Sequence, residues 1–112
     1  MKDDIFEMLE SDVKDWSDSK EIPAKSTYLH QLEKFNEEVG ELNKELLLYH
    51  AGNSEQYKVC LELGDCLVTL INVLYLMNDN LTLTDCLRAA YNKISKRSGK
   101  LIDGKFVKSE DL

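Results

Sequence analysis

STYLHQLEKFNEEVGELNKELLLYHAGNS, residues 26–54, decides the reading of the chain. Leu29, Leu32, Phe35, Val39, Leu42 and Leu46 recur at spacings of three and four, the period of one helix face. Ser26 or Thr27 supplies an N-cap, and Ala51-Gly52-Asn53-Ser54 ends the run. Downstream, a second helical pattern covers about Ser54 to Met77, with Val59, Leu63, Leu67, Leu70, Ile71 and Leu74 as its first stripe. From Cys66 to Met77 this helix is apolar nearly all round, which demands cover on several sides. One small domain can hardly provide that cover, so dimerisation through this helix is expected.

Upstream, Ser19–Lys25 contains the only proline, Pro23, and reads as a loop. Before it, roughly Asp4 to Trp16 reads as a short amphipathic helix with Ile5, Met8, Leu9 and Val13 on one side. After Met77, Asn78-Asp79-Asn80 breaks the chain, and Thr82-Leu83-Thr84-Asp85 resembles a capping box with Asp in place of Glu. A fourth helix follows, with Leu83, Leu87, Ala90, Tyr91 and Ile94 expected inward and Gly99 as its C-cap. Leu101–Val107 reads as a turn or hairpin around Asp103-Gly104. No segment sustains strand alternation, so the expected class is all-α: four helices in one domain over 1–112, completed by homo-oligomerisation.

The chain has 112 residues and a net charge of −7, unevenly spread. Residues 1–85 hold 18 acids against 7 lysines, whereas residues 86–112 hold 7 Lys/Arg against 3 acids. An acidic body argues against duplex nucleic acid as a partner. The basic tail suits a metal-bound phosphate ligand, or simply complements a helix dipole. No signal peptide is expected after Met1-Lys2-Asp3-Asp4, and no uncharged apolar run is long enough to span a bilayer, so no membrane partner is expected. Cys60, Cys66 and Cys86 are odd in number and lack CxxC spacing. They read as buried reduced thiols, which fits a cytoplasmic location.

Chemistry concentrates in two short motifs. Glu37-Glu38-Val39-Gly40-Glu41 lies on the second helix and Glu62-Leu63-Gly64-Asp65 on the third. Glu38 and Glu41 are three apart, as are Glu62 and Asp65, so each pair shares a helix surface. Glu62, Asp65, Thr69, Asn72 and Leu76 fall on one face, and in an antiparallel helix pair the two acidic clusters can meet. Converging carboxylates stay ionised together only beside a cation, and all-oxygen ligands favour Mg²⁺ or Mn²⁺. Such an ion shares its shell with phosphates. Gly40 and Gly64 each weaken a helix by roughly 1 kcal/mol relative to Ala, which points to close approach of a helix or ligand. The di-iron carboxylate class is set aside, because neither His30 nor His50 follows a Glu by three residues.

Glu-Glu-x-x-Glu followed by Glu-x-x-Asp resembles the signature of the MazG superfamily of all-α nucleotide pyrophosphohydrolases. The likeness extends to Trp16, Gln31–Lys34, Asp65–Asn72, and the tail Tyr91–Arg97 with Gly99-Lys100 and Gly104–Lys108. The resemblance implies a MazG-like helical bundle, dimeric or tetrameric, that uses Mg²⁺ to split a nucleoside triphosphate into monophosphate and pyrophosphate. It implies Glu38, Glu41, Glu62 and Asp65 as metal ligands and Glu37 as an outer ligand or water-orienting base. It places Asn72, Asn92, Lys93 and Arg97 near the nucleotide. Trp16 either stacks on a base or serves the core or an interface. No Ser-His-Asp or Cys-His set is suggested, whereas metal-activated water needs only carboxylates, the ion and positive groups for the leaving pyrophosphate. Alternatives are a superfamily hydrolase acting on dUTP or phosphoribosyl-ATP, and a non-catalytic helical adaptor dimer.

Overall fold

Thr27 does what its position requires: its hydroxyl accepts the His30 amide at 3.1 Å and starts the long helix carrying the first acidic motif. The computed structural model describes residues 2–78 and 80–112, with side chains from Ile5 onward, so the expected break at Asp79 lies outside the described residues. Five helices follow in order: α1 (Lys2–Ser19), α2 (Ile22–Lys25), α3 (Tyr28–His50), α4 (Gln56–Met77) and α5 (Leu83–Ile94). A hairpin of β1 (Gly99–Ile102) and β2 (Lys105–Lys108) and a final 3₁₀ turn complete the chain. The protein is mostly helical, as its periodicity predicts.

Several boundaries differ from the sequence reading. The segment expected as a loop contains α2, because Pro23 sits in its first turn, where no amide donor is needed. Glu21 enters it in the left-handed region at φ 61. α1 runs past Trp16 to Ser19, whose hydroxyl donates to the Trp16 carbonyl at 2.6 Å. The capping box forms as read: Thr82 Oγ1 accepts the Asp85 amide at 3.0 Å, and Asp85 Oδ2 accepts the Thr82 amide at 3.4 Å. Gly99 is not the C-cap of α5. That helix stops at Ile94, and Gly99 opens β1, where a Cβ would collide with the Val107 carbonyl and the Phe106 ring. The tail hairpin forms around Asp103 and Gly104, whose φ values of 52 and 80 suit a two-residue turn.

The α3–α4 hairpin is the main packing unit. Phe35, Val39 and Leu42 on α3 and Val59, Leu67, Leu70 and Leu74 on α4 are half-buried, and Ile71 is buried. Both stripes run out into solvent, since Leu29, Leu32, Leu46 and Leu63 are exposed. Across the connecting turn, the Ser54 hydroxyl donates to Glu45. By length and composition α4 is apolar enough to cross a membrane. Glu62 and Asp65 interrupt its apolar run, and the charged α3 lies along it.

Both outer helices leave apolar residues outside, which for α5 reverses the sequence expectation. α1 packs through its polar side: Glu10 and Ser17 are buried, while Ile5, Met8 and Leu9 are exposed. Lys14 lies 5.3 Å above the Tyr75 ring, and the Tyr75 hydroxyl donates to Asp18 at 2.8 Å, tying α1 to α4. α5 likewise turns Leu87, Tyr91 and Ile94 outward, with Leu87 66% exposed, and only Leu83 on that stripe is half-covered. The cause is at its N-terminus. Glu10, 3% exposed, accepts the Leu83 amide at 2.6 Å, the Thr84 amide at 3.3 Å and the Thr84 hydroxyl at 3.0 Å. A carboxylate from α1 therefore satisfies the free amides and positive dipole end of α5, and Arg88 adds an ion pair to Glu7 at 3.4 Å.

As a result the single chain buries little. Among the described residues only Cys66 and Ile71 are fully buried apolar side chains. The radius of gyration is 16.8 Å, against roughly 13 Å for a compact domain of this length. The cysteines are free, but only Cys66 is buried; Cys60 is exposed and Cys86 half-buried, which corrects the expectation of three buried thiols.

Glu10→Gln is expected to lower stability by about 1–3 kcal/mol, because an amide nitrogen replaces one charged acceptor facing backbone donors. Chemical denaturation measures it. An unchanged midpoint would remove the clamp from this account.

Candidate metal centre

On α3, Glu38, Glu41 and Glu45 follow at spacings of three and four; on α4, Glu62, Asp65, Thr69 and Asn72 do the same. The hairpin turns these faces toward each other. One carboxylate oxygen each from Glu38, Glu62 and Asp65 lies within 4.8 Å of the other two. Glu38 and Glu62 are half-buried and Asp65 is exposed. Glu41 is not in this triad, although its charge acts on Glu62.

The electrostatics follow from that convergence. Desolvation pushes the Glu62 carboxyl above its ordinary range, and the charges of Asp65, Glu41, Glu38 and Glu45 push it further. Burial raises the neighbouring Cys66 thiol, helped by Glu38, Asp65 and Glu62. One cation answers them: the Lys34 ammonium lies 3.4 Å from both Glu37 and Glu38, and hydrogen bonds to the two hold it above its ordinary value. Lys34 was not read as a site residue, though its spacing of three and four before the two glutamates is a sequence signal.

The triad borders a cavity of about 530 Å³ whose walls include Trp16, His30, Gln31, Glu38, Asp65 and Asn72. Asn72 is 2% exposed, and its Oδ1 has no hydrogen-bond partner. Ser17 Oγ shares this condition, and buried polar atoms are rarely left unpaired. Thr69 by contrast is self-satisfied, donating to the Cys66 carbonyl at 2.8 Å. Seven residues of helix put Asn72 roughly 10 Å beyond Asp65. The donor set, oxygens only, fits a hard divalent cation.

The structure divides the expected site residues. Trp16, Glu37, Glu38, Asp65 and Asn72 share this cavity, with Glu62 in the triad beside it. Asn92 lies elsewhere with Leu87 and Tyr91, while Lys93 and Arg97 line a basic hollow with Lys96 and Lys108. Gly40 and Gly64 do not mark close approach within the chain, because a Cβ on either meets open space. Comparison with family models, curated proteins and solved structures finds no match.

Folding raises the Glu62 pKa, so the native state holds more protons than the unfolded chain just above the ordinary carboxylate range. The contribution of Glu62 to metal-free stability therefore falls as pH rises through that interval. The expected outcome is a melting-temperature advantage of Glu62→Gln over wild type, in chelator, that widens from about pH 4 to about pH 7. A pH-independent difference would contradict the convergence of charges.

Proposed function

We propose that this chain is a MazG-like, Mg²⁺-dependent nucleoside triphosphate pyrophosphohydrolase, working as a homodimer or homotetramer in the cytoplasm. The observation carrying the proposal is the triad of Glu38, Glu62 and Asp65, from two helices, beside a cavity containing an unpartnered buried Asn72. The resemblance of the two acidic motifs to the MazG signature selects the reaction. The helical fold supports a four-helix bundle of α1, α3, α4 and α5, and the shortage of buried apolar side chains supports its completion by further copies.

Glu38, Glu62 and Asp65 would hold the ion, with Glu41 beside them; Mn²⁺ suits the same ligands. When bound, the ion neutralises phosphate charge and lowers the pKa of a bound water. Glu37, at the cavity wall and held by Lys34, orients the attacking water and takes its proton. The water oxygen bonds to the α-phosphorus, the bond to the α–β bridging oxygen breaks, and pyrophosphate leaves with that electron pair. Asn72 and Trp16 take the nucleoside end, Asn72 giving its free acceptor to a base or sugar donor. Asn92, Lys93 and Arg97 reach substrate only from a second copy, because in their own chain they line other hollows.

Neither duplex nucleic acid nor a membrane is a proposed partner. The acidic body repels phosphate backbones, and a charge at the bilayer centre costs about 2.5–3.5 kcal/mol on insertion scales, which Glu62 and Asp65 would both incur.

A nucleotide panel with Mg²⁺, reading pyrophosphate against orthophosphate, tests the reaction and separates a dUTP or phosphoribosyl-ATP enzyme from a non-catalytic adaptor. Pyrophosphate and a monophosphate are the expected products; orthophosphate with a diphosphate would refute the reaction type. Asp65→Asn is expected to abolish turnover, by at least about 100-fold, while its metal-free melt holds or rises because repulsion is relieved. Near-normal turnover in that variant would sink the site.

A further inference from the structure

Among the described residues, two amphipathic helices present apolar faces largely open to solvent. On α5, Leu87, Tyr91 and Ile94 follow at spacings of four and three; Tyr91 is 63% exposed. Tyr91, Ile94 and Phe106 of the hairpin wall an open hollow together with Arg97. Arg97 is shared with the adjoining hollow of Lys93, Lys96 and Lys108, so this apolar face has a basic margin. On the body, Leu9, Val13 and Trp16 of α1 and Val68 of α4 form an apolar groove of about 400 Å³ flanked by Asp12 and Asp65. The two surfaces complement each other in polarity and in sign of charge.

They cannot meet within one chain. At 100° per residue, Glu7 and Glu10 lie on one side of α1, and Leu9, Asp12 and Trp16 on the other. Glu10 clamps the N-terminus of α5 to the first side, so the α5–hairpin arm is fixed away from its own groove.

We propose that the α5–hairpin arm of one copy docks into the α1–α4 groove of a second copy, reciprocally. Tyr91, Ile94 and Phe106 cover Leu9, Val13 and Trp16, and Lys93 and Arg97 face Asp12. Reciprocity closes the pair about a two-fold axis; a one-way contact would instead build a ring or an open filament. Asp65 belongs to both the groove and the candidate metal centre, so the docked arm also walls that centre. The proposal rests on the oligomeric part of the proposed function and not on its chemistry.

The test uses the full chain without metal or nucleotide and reads mass by sedimentation velocity, so its failure is distinct from failure of the proposed reaction. Wild type is expected to sediment as a dimer or a multiple of one. An arm variant, Lys93→Glu with Arg97→Glu, and a groove variant, Asp12→Lys, are each expected to fall to monomer at the same concentration. Mixed in equal amounts they are expected to form a heterodimer, because each of its two contacts then pairs opposite charges. A monomeric wild type, variants of unchanged mass, or a mixture that stays monomeric would overturn the proposal. Should a variant lose helix by circular dichroism, crosslinking decides. In a Cys60→Ser background, a chain with Ile94→Cys and a differently tagged chain with Leu9→Cys are expected to form a mixed disulfide on oxidation. Its absence would overturn the proposal equally.

Discussion

Pairing α3 with α4 covers the apolar seams of two long helices, and the same pairing drives like charges together. Phe35, Val39 and Leu42 lose solvent only if Glu38 and Glu41 turn toward Glu62 and Asp65. Burying the seam is favourable by about 25 cal/mol per Å² of apolar area, while half-buried carboxylates at short range oppose it. Lys34 offsets part of that cost at the edge of the cluster, beside Glu37 and Glu38, and leaves Glu62 raised. A hairpin built this way gathers like charge along its interface, where Glu38, Glu62 and Asp65 converge.

The outer elements obey a different constraint. α1 buries a carboxylate rather than Ile5, Met8 and Leu9 because the amides of Leu83 and Thr84 need an acceptor, and Glu10 provides one from across the fold. Charge-assisted bonds to a helix N-terminus thus override the local hydrophobic pattern. What remains outside is apolar: Met8 at 64% exposed and Leu101 at 70% are extremes of a general condition. Among the described residues only Cys66 and Ile71 are buried apolar side chains, few for a chain of this size.

Much of this was legible in the sequence. The period of Leu29–Leu46 fixes α3, Ser26 or Thr27 and Thr82 are readable as caps, and the two acidic motifs name the helix faces that carry Glu38, Glu62 and Asp65. Other features were hidden. Periodicity tells which side of α1 or α5 is apolar, but not whether that side is covered by the same chain. Pro23 reads as a breaker, although in a first turn it breaks nothing. Gly99 looks like a helix terminator because its need for a small residue comes from Phe106 and Val107, strand neighbours that no local rule connects. The unpaired Asn72 Oδ1 emerges only once the cavity has walls, whereas Lys34 is signalled by its spacing to Glu37 and Glu38.

Glu38, Glu62 and Asp65 are proposed to form one binding site for a divalent cation. Titrating Mn²⁺ into the purified chain, and following free ion by electron paramagnetic resonance, tests it directly. The account predicts saturable binding that Mg²⁺ displaces and that Glu38→Gln weakens at least about tenfold, the effect of losing about 1.4 kcal/mol. Binding of unchanged affinity in Glu38→Gln, or no saturable binding in the wild type, would contradict it.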